Sequence, residues 1–92
     1  MNLKNKYADR RITEHAWNII VAVCNHKGVI LEDMMEGDRG SDCVSARREV
    51  VRRLRLVLNP EEEHIYSFER IGQFLGRHHA TIRKLILPKK RK

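Results

Sequence analysis

Apolar residues recur at helical spacing along most of this chain. Ile12, Ala16, Ile19, Ile20 and Val23 fall on one face at steps of three and four, and Trp17 and Val21 widen it. Asn25, Lys27 and Gly28 close that segment. Gly28 suits a left-handed cap, because a residue without Cβ tolerates positive φ. Residues 29–35 form a short apolar run, enough for one or two helical turns. Residues 36–42 have loop chemistry, with two glycines among short polar residues. A second long helix is expected over residues 45–58, with Val50, Leu54, Val57 and Leu58 as its apolar stripe. Asn59 and Pro60 stop it. Glu61, Glu62 and Glu63 then form an acidic loop.

The most informative stretch is Tyr66 to Lys84. Ser67 is a good N-cap, its hydroxyl able to accept from free backbone N–H groups. Tyr66 and Ile71 occupy the hydrophobic-staple positions on either side of it. Ile71, Phe74 and Leu75 point inward, and Gly76 ends the helix at positive φ. A last helix is expected from His79 to Leu87, with Ile82, Leu85 and Ile86 buried and Pro88 as terminator. This is helix, tight turn, helix, with the second helix polar and basic on its free edge. A helix-turn-helix presents a probe to the DNA major groove in this way. The expected fold is therefore all-α: one domain spanning 1–92, a compact bundle of four to five helices. Residues 1–11 and 88–92 are expected to be flexible.

Charge sharpens the picture. The formal net charge of the 92 residues is +7. Residues 1–40 hold six basic and six acidic side chains, whereas residues 41–92 hold thirteen basic and six acidic. The whole excess lies in the half that contains the helix-turn-helix, as a polyanion-facing surface requires. Arg48, Arg52 and Arg55 form a line at steps of four and three, with Arg47 and Arg53 beside it, and the group fits phosphate contacts, which position a protein without reading sequence. Arg77, His78, His79, Ala80, Thr81, Arg83 and Lys84 offer donors, acceptors and methyl groups for base edges and backbone. Arg39, in a glycine-flanked loop, is a candidate for the minor groove. Aromatic residues are only 5 % of the chain, which argues against RNA or single strands held by stacking.

Other chemistry is poorly supplied. Cys24, His26, Cys43, His78 and His79 match no zinc spacing, and two cysteines make no disulfide framework. No nucleophile motif and no glycine-rich phosphate loop occurs, so neither an enzyme nor a nucleotide cofactor is expected. No segment suits a membrane span or a signal peptide, which points to a cytoplasmic protein with reduced thiols. The neutral N-terminal half, with Trp17, Met34 and Met35, offers a second reading, a protein-interaction adaptor on the same helical frame.

Residues 12–87 resemble the C-terminal DNA-binding domain of the bacterial replication initiator DnaA, a Trp-repressor-like helix-turn-helix fold. That family has an Ala-Arg-rich start to its long helix, here Ser45-Ala46-Arg47-Arg48-Glu49-Val50-Val51. It also has the signature Ser-Leu-x-x-Ile-Gly-x-x-Phe-Gly-Gly-Arg-Asp-His-Thr-Thr-Val, which residues 67–82 resemble with one position fewer between Gly72 and Gly76. The resemblance implies double-stranded DNA as partner. His79 and Thr81 match residues that face the major groove, Arg48 an arginine that holds the DNA, and Arg39 lies within a residue of a minor-groove arginine. The chain departs from the pattern at His78 for Asp, Ala80 for Thr and Glu49 for Gln. The loop with Glu61, Glu62 and Glu63 is longer than usual. Loss of Asp is expected to remove an N-cap and a base acceptor, so the usual initiator box is not expected to bind tightly. Without an ATPase module, the chain fits a stand-alone regulator of transcription or replication in a bacterium or phage.

Overall fold

The computed structural model describes residues 3–37 and 40–86. Over these it is an all-α bundle of six helices. They are α1 (Leu3–Lys6), α2 (Glu14–Lys27), α3 (Leu31–Glu36), α4 (Ser41–Arg55), α5 (Phe68–Leu75) and α6 (His79–Ile86), with a 3-10 turn at Ala8–Arg10. Among the described residues no helix is long and apolar enough to cross a membrane.

Local chemistry sets most boundaries. Thr13 caps α2, its Oγ1 accepting from the Ala16 N–H at 3.1 Å. Gly28 closes that helix at φ 67°. Ser67 caps α5 through the Arg70 N–H at 3.1 Å, and Gly76 ends it at φ 67°. Each N-cap of this kind contributes about 1 kcal/mol.

Helix α4 is the hub, packing on α2, α3, α5 and α6. It begins four residues before, and ends three residues before, the bounds its apolar stripe suggests. Cys43 extends the buried face backward by a turn, in line with Ala46, Val50 and Leu54. At the other end the chain leaves the core: Leu56 is 76 % exposed. The backbone then enters an antiparallel bridge between Leu58 and His64. Inside that loop Asn59 Oδ1 accepts from the N–H groups of Glu61 and Glu63, each at 2.9 Å.

The core joins Ile20 and Val23 of α2, Met34 and Met35 of α3, Val50, Val51 and Leu54 of α4, Ile71, Phe74 and Leu75 of α5, and Ile82 of α6. Burial of such side chains stabilises by about 1.5–3 kcal/mol each. Cys24 belongs to this core, and burial pushes its thiol above the ordinary range, with Cys43 adding to the shift.

The N-terminal segment packs as follows. Residues 3–11 are folded onto the bundle, with Tyr7 only 3 % exposed. The Tyr7 hydroxyl donates to Glu36, and Lys6 pairs with Glu32 and Glu36 at 3.1 and 3.2 Å. Arg10 lies over the Tyr7 ring and donates to the carbonyls of Met35 and Phe74, at 3.2 and 3.3 Å. One guanidinium thus serves orphan carbonyls at the ends of both α3 and α5, where cations are favoured. Residues 88–92, expected to be flexible, lie outside the described residues, as do Leu87 and its place at the end of the last helix.

Candidate nucleic-acid interface

The α5–turn–α6 unit is held by a close approach of backbones. Gly72, buried in α5, faces the carbonyl of Arg77, and a Cβ there would collide with that oxygen. The Arg77 N–H donates back to the Gly72 carbonyl at 2.8 Å. Gly76 turns the chain, and its amide reaches the Gln73 carbonyl. The glycine pair therefore has two separate jobs: positive φ at 76, and absence of bulk at 72.

Helix α6 presents the expected division of faces. Ile82 is fully buried, and Leu85 and Ile86 pack partly against the core. His79, Ala80, Thr81, Arg83 and Lys84 are all exposed, as are Arg77 and His78 in the turn. The rings of His78 and His79 lie 4.2 Å apart, centroid to centroid.

His78 overturns the expected loss of an N-cap. Its Nδ1 accepts from the Ala80 N–H at 3.2 Å, while its carbonyl accepts from Thr81 and Ile82. A ring nitrogen thus acts as the capping acceptor. The N-terminus of α6 is thus satisfied locally and keeps its orientation.

The arginines of α4 separate into different roles. Arg48 is exposed, and its Nε donates to the Leu85 carbonyl at 2.8 Å. It links α4 to the last turn of α6, a favourable place for positive charge. Arg52 is exposed one turn on, where it borders a groove with Phe68 and Ile86. Arg55 lies 4.1 Å from the Phe68 ring centroid and donates to the Tyr66 carbonyl. Arg83 of α6 approaches the same ring at 5.7 Å. The structure so brings Arg48, Arg52, Arg55 and Arg83 along the α4–α6 seam. Arg53 is held by Glu49 at 2.9 Å, and that bond keeps the Glu49 carboxyl below its ordinary range.

Two expectations need correction. Arg47 does not face solvent: it is 5 % exposed, and its Nε donates to the Met34 carbonyl at 3.0 Å. It is adjacent to Arg48, and on a helix that single step of about 100° turns it into the core. The proposed apolar docking surface at Met34 and Met35 is also absent from the surface, since both are core residues at 1 and 2 % exposure. Trp17 is half-buried against the core.

Arg77 extends toward the end of α3, its guanidinium against Gly37. Arg39, the candidate minor-groove residue, lies outside the described residues. Phe68 and Arg10 are missed by sequence reasoning. Phe68 stands where the resembled signature has Leu, and an aromatic among arginines was the available signal. Arg10 had none, because its partners lie 25 and 64 residues away.

Among the described residues no group of three His, Cys, Asp or Glu side chains gathers around a common point. Comparison with known protein families, with curated proteins and with solved structures finds no match to this chain.

Proposed function

We propose that this protein binds double-stranded DNA sequence-specifically, as a helix-turn-helix regulator of transcription or replication without enzymatic activity. The observation that carries the reading is the division of α6: Ile82 is buried, while His79, Ala80, Thr81, Arg83 and Lys84 are exposed together. In this reading α6 enters the major groove. His79 and Thr81 address base edges, and the Ala80 methyl is placed to meet a thymine methyl. Arg48, Arg52, Arg83 and Lys84 neutralise phosphates beside it. Arg77 grips backbone near the turn.

The likeness to the DnaA C-terminal domain supports this assignment through Ser67, Ile71, Gly72, Phe74, Gly76, Arg77, His79 and Thr81. The bacterial nucleoid is the compartment it implies. His78 and Ala80 remove two polar contacts of the resembled pattern, so a site other than the initiator box is expected.

The experiment is selection from a pool of random duplexes, followed by titration of the recovered sequence at two salt concentrations. A recovered consensus whose affinity falls steeply with salt is the expected result. Arg48→Ala should weaken every duplex alike and flatten the salt slope by about one. Failure to enrich any sequence, with no salt-dependent binding, refutes the proposal. Capture of a protein partner insensitive to nuclease would then favour the adaptor reading.

A further inference from the structure

The segment between α4 and α5 is longer than the resembled fold calls for, and it is built rather than slack. Ile65 N–H donates to the Val57 carbonyl, Asn59 N–H donates to the Glu63 carbonyl, and the Asn59 side chain accepts from both Glu61 and Glu63. His64 is bonded through its ring to the Arg55 carbonyl at the base of this hairpin. Glu62 sits at φ 63°, a left-handed conformation held by the turn.

The hairpin stands at the mouth of an open groove of about 390 Å³, lined by Arg52, Arg55, Leu56, His64, Phe68 and Ile86. Leu56, Leu58 and Ile65 around it are 76, 45 and 51 % exposed. They account for three of the four large apolar side chains exposed among the described residues. Charge flanks them on both sides. Arg52 lies on the groove, and Glu61, Glu62 and Glu63 form the hairpin tip. Among the described residues none of these four makes an ion pair. The hairpin thus carries exposed apolar and acidic side chains next to a groove lined by Arg52 and Leu56.

The geometry points to a second copy of this chain as the occupant of that face. A two-fold axis sets the acidic tip of each copy over the basic groove of the other, with Leu56, Leu58 and Ile65 between. Such an isologous contact makes every pairing twice. Opposite charges meet where like charges would otherwise oppose association of two chains of net +7. Contacts of this kind that bury less than about 1,200 Å² in total are typically reversible, so the association is expected to depend on concentration. Arg52 is shared with the DNA reading, so the two contacts compete for it, and the test below is made without DNA.

The test is sedimentation equilibrium of the full chain over a concentration series, at an ionic strength of about 0.15 M, where net repulsion is screened beyond roughly 8 Å. The weight-average mass should climb toward that of a dimer. Leu56→Asp, at an exposed position, should hold the protein monomeric. So should the triple change Glu61→Lys, Glu62→Lys, Glu63→Lys, and so should Arg52→Glu. Mixing the triple variant with Arg52→Glu provides the second measurement: one tip-to-groove pairing is then restored with reversed signs, and mixed dimers should form. Wild-type protein that stays monomeric to its solubility limit overturns the proposal, and another partner or residues 87–92 then cover the face. Association unchanged by Leu56→Asp and by the charge reversals overturns it equally, placing the contact elsewhere.

Discussion

Gly72→Ala is the sharpest perturbation of the α5–turn–α6 unit. In an ordinary helix interior this change stabilises by about 1 kcal/mol, because alanine is the better helix former. Here the new Cβ meets the Arg77 carbonyl oxygen, a backbone atom that cannot swing aside, and it lies 3.5 Å from the His79 amide nitrogen. Forcing the two apart costs roughly 1–3 kcal/mol as overpacking. It also strains the 2.8 Å bond from Arg77 N–H to the Gly72 carbonyl, worth about 1 kcal/mol. After subtracting the propensity gain, a net loss of about 1–3 kcal/mol remains. In a domain of this size each kcal/mol lowers Tm by roughly 4–8 °C. Thermal and urea unfolding followed by circular dichroism measure it directly. Gly28→Ala is the contrast: nothing lies within 4 Å of that Cβ, and only the positive φ of 67° penalises it. DNA affinity should fall with Gly72→Ala in the folded fraction and remain with Gly28→Ala. A Gly72→Ala protein as stable as wild type would refute the close approach of α5 and α6.

Three further outcomes follow from contacts elsewhere. Arg47→Ala should destabilise by about 1–3 kcal/mol in urea unfolding, because the buried Met34 carbonyl loses its donor, while the salt slope of DNA binding stays as in wild type. His78→Ala should cost about 0.5–2 kcal/mol and His78→Asp should nearly restore stability, since either side chain can cap α6. Glu36 is held below its ordinary pKa of 4.5, first by its bond to Lys6. Its contribution is therefore complete above about that pH and lost as pH falls through the folded value. The stability difference between wild type and Glu36→Gln should accordingly shrink on acidification, and a difference that grows would contradict the pairing.

Sequence reasoning reaches the elements whose causes are local. Ser67, Gly28 and Gly76 act on the backbone within four residues of themselves, and all three sit where their chemistry predicts. Ile82 follows from spacing alone. Boundaries decided by tertiary packing were harder. Cys43 joins the core and draws the start of α4 back to Ser41, and an exposed Leu56 lets the helix end early. Tyr7 and Arg10 looked like part of a polar, unstructured leader because their partners are remote in sequence. At the candidate interface, neighbouring arginines were indistinguishable by type. Only the helical rotation in three dimensions separates buried Arg47 from exposed Arg48. The cap supplied by His78 was equally hidden, since histidine is not among the preferred capping residues.

The central claim is that the free edge of α6 reads base pairs. Its most direct test is the affinity of His79→Ala and Thr81→Ala, each folded as judged by its melting curve, for the duplex recovered by selection and for the same duplex with single base-pair changes. Each variant should lose about 1–3 kcal/mol on the selected duplex and discriminate less at one or two adjacent positions, with unrelated DNA bound as before. Wild-type affinity and wild-type discrimination in both variants would show that this edge of the helix does not touch the bases.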